Sequence, residues 1–163
     1  MKKTLILCAT LALVVGIFAG MMFANLRNSS SVHANGVTTV HVVEHATSDT
    51  VQQWNANHFS VGDILGFHNA VFDADNDEQV GQDNGQCTRT VAVGKTEWEC
   101  FWTTFLSGGN ITVEGPFFDD GTDTTLTITG GTGIYVEARG SMLLHARGNP
   151  VGSEFDFVFR LVD

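Results

Sequence analysis

The residues best placed to do chemistry stand early in the polar part of the chain, in Val40-His41-Val42-Val43-Glu44-His45-Ala46. In an extended strand Val40, Val42, Glu44 and Ala46 share one face, so Glu44 is a carboxylate on an otherwise apolar row. If that row faces a closed interior, loss of water raises the acid's pKa and equips it to transfer a proton or to polarise an epoxide or carbonyl oxygen. If the side chain instead reaches solvent at a strand end, it is an ordinary surface glutamate. Both readings stand on the residues alone. The same run spells the inverted zinc-protease motif, His41-x-x-Glu44-His45. That motif needs a helix to bring its histidines onto one face, whereas Thr38 to Val43 is β-rich and no third ligand is spaced for it. No metal is expected, and no cofactor.

Two other stretches imitate sites. Asp73, Asp75 and Asp77 resemble the start of a calcium loop, but Glu78 stands where glycine is needed and Asn84 where a bidentate glutamate is needed. The stretch reads as a solvated acidic loop. Gly130, Gly131 and Gly133 follow the alternating Leu126 and Ile128, yet they lack the pattern of a dinucleotide fingerprint and the Gly-Lys-Ser/Thr ending of a phosphate loop. They read as a sharp turn that lets another backbone approach.

Cys87 and Cys100 flank a hairpin centred on Val93-Gly94. If Ala92 opposes Lys95, then Arg89 opposes Trp98 and Cys87 opposes Cys100, on one face with Val91 and Trp102. That register permits a disulfide, and a one-residue slip removes it. Trp98 and Trp102 on this face, Val40 and Val42 beside Glu44, and Phe157 near the C-terminus are the side chains that would line a lumen. Core packing is their alternative role.

These side chains need strands to position them. Segments 37–46, 63–72, 86–92, 96–105, 110–115, 124–129, 141–147 and 153–162 read as strands, and no long stretch has helical periodicity. The last is the clearest, with Phe155, Phe157, Phe159 and Leu161 alternating against Glu154, Asp156 and Arg160. With 18 glycines and 2 prolines, the composition suits turns between strands that must all pair. The expectation is an all-β fold, an eight-stranded antiparallel up-and-down β-barrel, because closure removes exposed edges. A two-sheet sandwich is the alternative.

The N-terminus reads differently. Lys2 and Lys3 precede an apolar run from Leu5 to Ala24, and Val32-His33-Ala34 offers small residues for cleavage before Asn35. Residues 1–34 are expected to be a secretory signal peptide, or else an uncleaved membrane anchor, leaving 35–163 as one domain. Cys8 lies inside the apolar run and reads as a small hydrophobe. The leader carries Lys2, Lys3 and Arg27 and no acid, so its loss takes the net charge from −10 to −13. An acidic surface of that size repels nucleic acid and anionic membrane, so the membrane is a partner only through the N-terminal segment. Secretion would place Cys87 and Cys100 in an oxidising compartment.

Four collinear motifs carry a resemblance. They are Gly62-Asp63-Ile64-Leu65-Gly66-Phe67-His68-Asn69-Ala70-Val71-Phe72-Asp73, Gly85-Gln86-Cys87, Ile111-Thr112-Val113-Glu114-Gly115-Pro116-Phe117 and Thr129-Gly130-Gly131-Thr132-Gly133-Ile134-Tyr135. Over residues 40–162 the chain resembles the allene oxide cyclase family, whose wider superfamily includes the dirigent proteins. The resemblance implies an eight-stranded barrel, usually a homotrimer, with an apolar cavity for a lipid- or phenol-derived intermediate. It further implies cyclisation or isomerisation governed mostly by restraint of the bound molecule, or a dirigent-like barrel that binds without catalysis. The family's glutamate falls on Glu44, its cavity asparagine on Asn69 and its cavity cysteine on Cys87. The last of these competes with the disulfide. Where the plant enzymes hold a water with an asparagine and a serine-proline pair, this chain reads His45-Ala46-Thr47-Ser48-Asp49-Thr50.

Overall fold

A computed structural model describes residues 32–34, 36–148 and 154–162. Ten strands follow one another: β1 (Val32–Ala34), β2 (Val37–His45), β3 (Thr50–Gln52), β4 (Ile64–Phe72), β5 (Gln79–Val91), β6 (Glu97–Leu106), β7 (Gly109–Phe118), β8 (Thr124–Gly131), β9 (Gly140–Ala146) and β10 (Glu154–Val162). All but the short β1 and β3 form a meander in which each strand is antiparallel to the next. Strand β2 closes it, pairing along its whole length with β10 and through Val43–His45 with β4. The result is the closed eight-stranded up-and-down barrel that the alternation predicts, and closure excludes the sandwich.

The seam between β2 and β4 explains the two extra strands. Only Val43, Glu44 and His45 meet β4, so the rest of both edges would carry unpaired backbone groups. Strand β1 covers Val37–Thr39 of one edge and β3 covers Ile64–Gly66 of the other. Pairings this short leave little hydrophobic pattern, so neither strand stands out in the sequence. Apart from β1, the proposed leader lies outside the described residues.

The inner face is apolar where the alternation places it: Val40 and Val42, Ile111 and Val113, Leu126 and Ile128, Met142, Phe157 and Phe159 are buried. The glycine turn is a close-approach device, as its residues suggest. At Gly133, with φ +64°, an added Cβ would stand 2.2 Å from the carbonyl oxygen of Gly108 in the neighbouring turn. A short 3-10 turn, Gly133–Tyr135, follows it.

Two expectations are corrected. Strand β5 begins at Gln79, so the acidic loop ends at residue 78 and Asp83 and Asn84 belong to a strand. Polar side chains hide the period-two pattern there. The hairpin register is as expected for Cys87 opposite Cys100 and Arg89 opposite Trp98, but a bulge follows and Val91 pairs with Glu97. The bulge rotates Val91 off the inner face, and it is 36% exposed.

Candidate active site

Strands β4, β5 and β6 build the site as a ladder of inward side chains. From one end to the other, Asn69, Asp83 and Thr104 stand side by side, then Phe67, Gly85 and Trp102, then Leu65, Cys87 and Cys100. Gly85 is obligatory in the second rung: an added Cβ would lie 2.3 Å from that of Trp102 and 2.5 Å from the Phe67 ring. Cys87 and Cys100 are joined as a disulfide across the third rung. Arg89 and Trp98 form a fourth rung, beside Asp63.

At the polar end, Glu44 enters from β2 and is only 6% exposed. The Asn69 amide is oriented by the chain, because its Oδ1 accepts the backbone N–H groups of Thr47 (3.1 Å) and Ser48 (3.0 Å). Its Nδ2 must then point the other way, where it donates to Glu44 Oε1 and Asp49 Oδ1, both at 2.8 Å. The connection Thr47-Ser48-Asp49 thus locks the asparagine that holds Glu44.

Asp83 completes this cluster, and it is absent from the candidates that the sequence suggests. Its Oδ1 accepts the backbone N–H of Asn69 at 3.2 Å, whereas among the described residues no N–H reaches its buried Oδ2. The Glu44 carboxyl lies beside it, and two carboxyl groups can hydrogen-bond only when one carries a proton. Burial, then the Asp83 charge, push Glu44 well above the usual carboxylate range, with the Asn69 bond opposing them. Burial likewise raises Asp83 to about 7. Both shifts favour the protonated forms, so the pair keeps a proton to higher pH than an ordinary carboxylate does. Extending the strand pattern back from Cys87 through Gly85 to Asp83 is the signal that would have found it.

Glu44 and Asp49 border a cavity of about 40 Å³. Its remaining wall is apolar, made of Leu65, Leu144, the Cys87–Cys100 bond and the rings of Phe67, Trp102, Phe117, Phe155 and Phe157. Phe157 stands 5.3 Å from Trp102, and Phe117 meets Phe155 edge-on at 5.9 Å. Trp102 is buried, and among the described residues its Nε1–H has no hydrogen-bond partner.

The sequence candidates separate accordingly. Glu44, Cys87, Trp102 and Phe157 are in this wall, and Asn69 stands behind it bonded to Glu44. Val40 and Val42 are buried in the core outside the wall. Trp98 belongs to the fourth rung, where the Arg89 guanidinium lies 3.9 Å over its ring and its Nε1 donates to Asp119 at 2.7 Å. His41 and His45 face outward from Glu44 and pair with Asp156 and Asn76, so the strand divides the zinc-like motif between two faces. Among the described residues, no three histidine, cysteine or acidic side chains are grouped to hold a metal ion.

Comparison with known proteins places this geometry. The family model described as allene oxide cyclase matches residues 35–160. No curated protein matches the chain. Among solved structures, a pyocyanin demethylase is similar at 23% identity and a TM-score of 0.63, over 74% of this chain and 99% of that one. A pterocarpan synthase dirigent protein is similar at 15% identity and a TM-score of 0.65, over 80% and 97%. A Diels-Alderase from Streptomyces koyangensis is similar at 16% identity and a TM-score of 0.58, over 99% and 84%. These structural likenesses establish the barrel; their chemistries are their own.

Proposed function

The chain belongs to the allene oxide cyclase family, and from that premise we propose that its barrel takes up a small apolar organic molecule and steers its cyclisation or isomerisation. The observation that carries this reading is Glu44, a carboxyl group in the wall of an otherwise apolar, ring-lined cavity. Sharing a proton with Asp83 lets it act as an acid near neutral pH. The proton moves from Glu44 to the ligand oxygen as negative charge develops there, and returns when that oxygen becomes a carbonyl. Asn69 is the positioning residue, holding the carboxyl in place. The aromatic wall supplies the rest of the effect by restricting the ligand to conformers that lead to one product. The Cys87–Cys100 bond is the mark of an oxidising compartment, which supports export. Homotrimeric assembly is the family's contribution to the proposal.

The test is conversion and product enantiomeric ratio for an unstable allene oxide generated in situ. Wild type is expected to shift the ratio away from that of the spontaneous reaction. Glu44→Gln, folded by circular dichroism, is expected to lose about 10²–10⁴-fold in turnover. An unshifted wild-type ratio removes the cyclase reading for that substrate, and a Glu44→Gln protein equal to wild type removes Glu44 from the mechanism. One observation favours a second reading, that of a binding barrel without catalysis. A cavity of about 40 Å³ holds only a few waters, so a larger guest must reach out through the cavity's open side or move the rings around it.

A further inference from the structure

Resting on the cavity as the ligand site, we propose that its guest is an enolisable ketone and that Asp49 is a second catalytic residue, the base that takes the proton beside the carbonyl while Glu44 protonates its oxygen. The observation that carries this is the shared hold of Asn69. Its one Nδ2 bonds Glu44 Oε1 and Asp49 Oδ1, both at 2.8 Å, and both acids border the cavity. The two N–H bonds of an amide diverge, which sets these oxygens roughly 5 Å apart. A carbonyl group and the C–H next to it reach both carboxyl groups across that gap. Asp49 is exposed at the cavity's rim, so the head of a guest that meets the pair needs no more room than the few waters it displaces.

The two groups stand in opposite surroundings, which divides the roles between them. Glu44 is buried beside Asp83, and both conditions favour its protonated form. Asp49 comes from the connection between β2 and β3 and is a solvated carboxylate. The wall has no lysine, arginine or histidine to neutralise either of them. Arg89, the one buried cation among the described residues, bonds Asp119 at 3.0 Å and lies over the rings of Trp98 and Phe59. Paired carboxyl groups set apart in this way are an acid and a base. The step balances within the chain. Asp49 accepts the α-proton, the electrons of that C–H bond form a C=C bond, the C=O π pair moves to oxygen, and the oxygen takes the Glu44 proton. In the return, Glu44 recovers its proton from the oxygen, and Asp49 gives one to the same carbon or, in an unsaturated ketone, to the far end of the dienol, which moves the double bond. Because Asp49 is open to water, its proton exchanges with solvent between the two halves.

The experiment is deuterium uptake at the α-carbons of cyclopentanone in heavy water, followed by NMR near neutral pH over a range of ketone concentrations. Wild type is expected to exchange the ketone at a saturable rate that exceeds the rate in acetate of equal carboxylate concentration. Asp49→Asn keeps an oxygen for Asn69 to bond and removes the base. Its saturating rate should fall about 10²-fold while the half-saturating concentration stays within about twofold of wild type. Glu44→Gln, folded by circular dichroism, should lower the saturating rate by a similar factor, since acid and base act together. An Asp49→Asn protein equal to wild type overturns the assignment. So does a Glu44→Gln protein equal to wild type, because Asp49 then acts as any surface carboxylate does. A wild-type rate no higher than that of acetate also overturns it, and the allene oxide test then separates the two readings. A shifted product ratio leaves steering by the cavity in place without enolisation, and an unshifted one removes both.

Discussion

Strand β5 carries two buried ionisable groups on its inner face, six residues apart, and the chain treats them in opposite ways. Arg89 is surrounded by compensation from Asp119, Asp63 and two aromatic faces, and Asp63 in turn accepts the backbone N–H groups of Trp54 (2.8 Å) and Ser60 (2.9 Å). Asp83 has one backbone N–H and a second acid for a neighbour. The compensated end uses its polarity to fix the connection between β3 and β4. The uncompensated end keeps a proton available beside a cavity, which is the arrangement chemistry uses and stability does not.

Opposite treatments should respond oppositely to mutation. The largest effect is expected from Arg89→Ala, which leaves Asp63 buried without its cation; a loss of about 3–5 kcal/mol should appear as a lower midpoint in urea. A loss under about 1 kcal/mol would show that the backbone N–H groups alone satisfy Asp63. Next is the disulfide between the two ends. Cys87→Ser with Cys100→Ser should cost about 3 kcal/mol in the same measurement, and thiol labelling of the denatured, unreduced protein should leave both cysteines unmodified.

Asp83→Asn should act with the opposite sign. The folded-state carboxyl is raised from 3.8 to about 7, so its contribution is present in full below the unfolded value and is lost as pH rises through the folded one. The asparagine variant should therefore be more stable than wild type by on the order of 2 kcal/mol at about pH 8 and no more stable at about pH 4. For Asp63 the direction reverses. The N–H of Ser60, against burial and with help from Trp54 and Arg89, lowers its pKa, so its stabilisation is present above the ordinary carboxylate value and is lost as pH falls through the folded one. Denaturant midpoints across pH should show wild type losing stability on both sides. An Asp83→Asn profile parallel to wild type above neutral pH would abolish the contrast between the two ends.

The contrast also marks what could be read in the residues alone. The row Val40, Val42, Glu44 puts Glu44 on an inner face by alternation, and the Phe155, Phe157, Phe159 row fixes β10 the same way. Cys87 meets Cys100 because the register below the bulge is independent of the turn above it. Asn69 is legible only through resemblance, since no periodicity distinguishes an inward asparagine from an outward one. Asp83 escapes because its neighbours along β5 are polar or glycine, and a hydrophobic pattern cannot reveal such a face, whereas the hairpin register does put Arg89 opposite Trp98 on the face of Cys87. Asp49 escapes for another reason: it reaches the cavity from a connection, and connections have no period to read.

The closing pairing of β2 with β10 sets a clock on synthesis. It joins Val37 to Val162, almost the full span of the barrel, so β2 emerges from the ribosome long before the strand that will cover it. At the usual pace of translation, the residues between His45 and Glu154 take roughly 5–20 s to appear. For that interval the nascent chain has a meander with an open side, and the closure entropy of the long loop can be recovered only at its end. Release of a chain ending before Glu154 would leave β9 and β2 as bare hydrogen-bonding edges, a template for other unfinished copies.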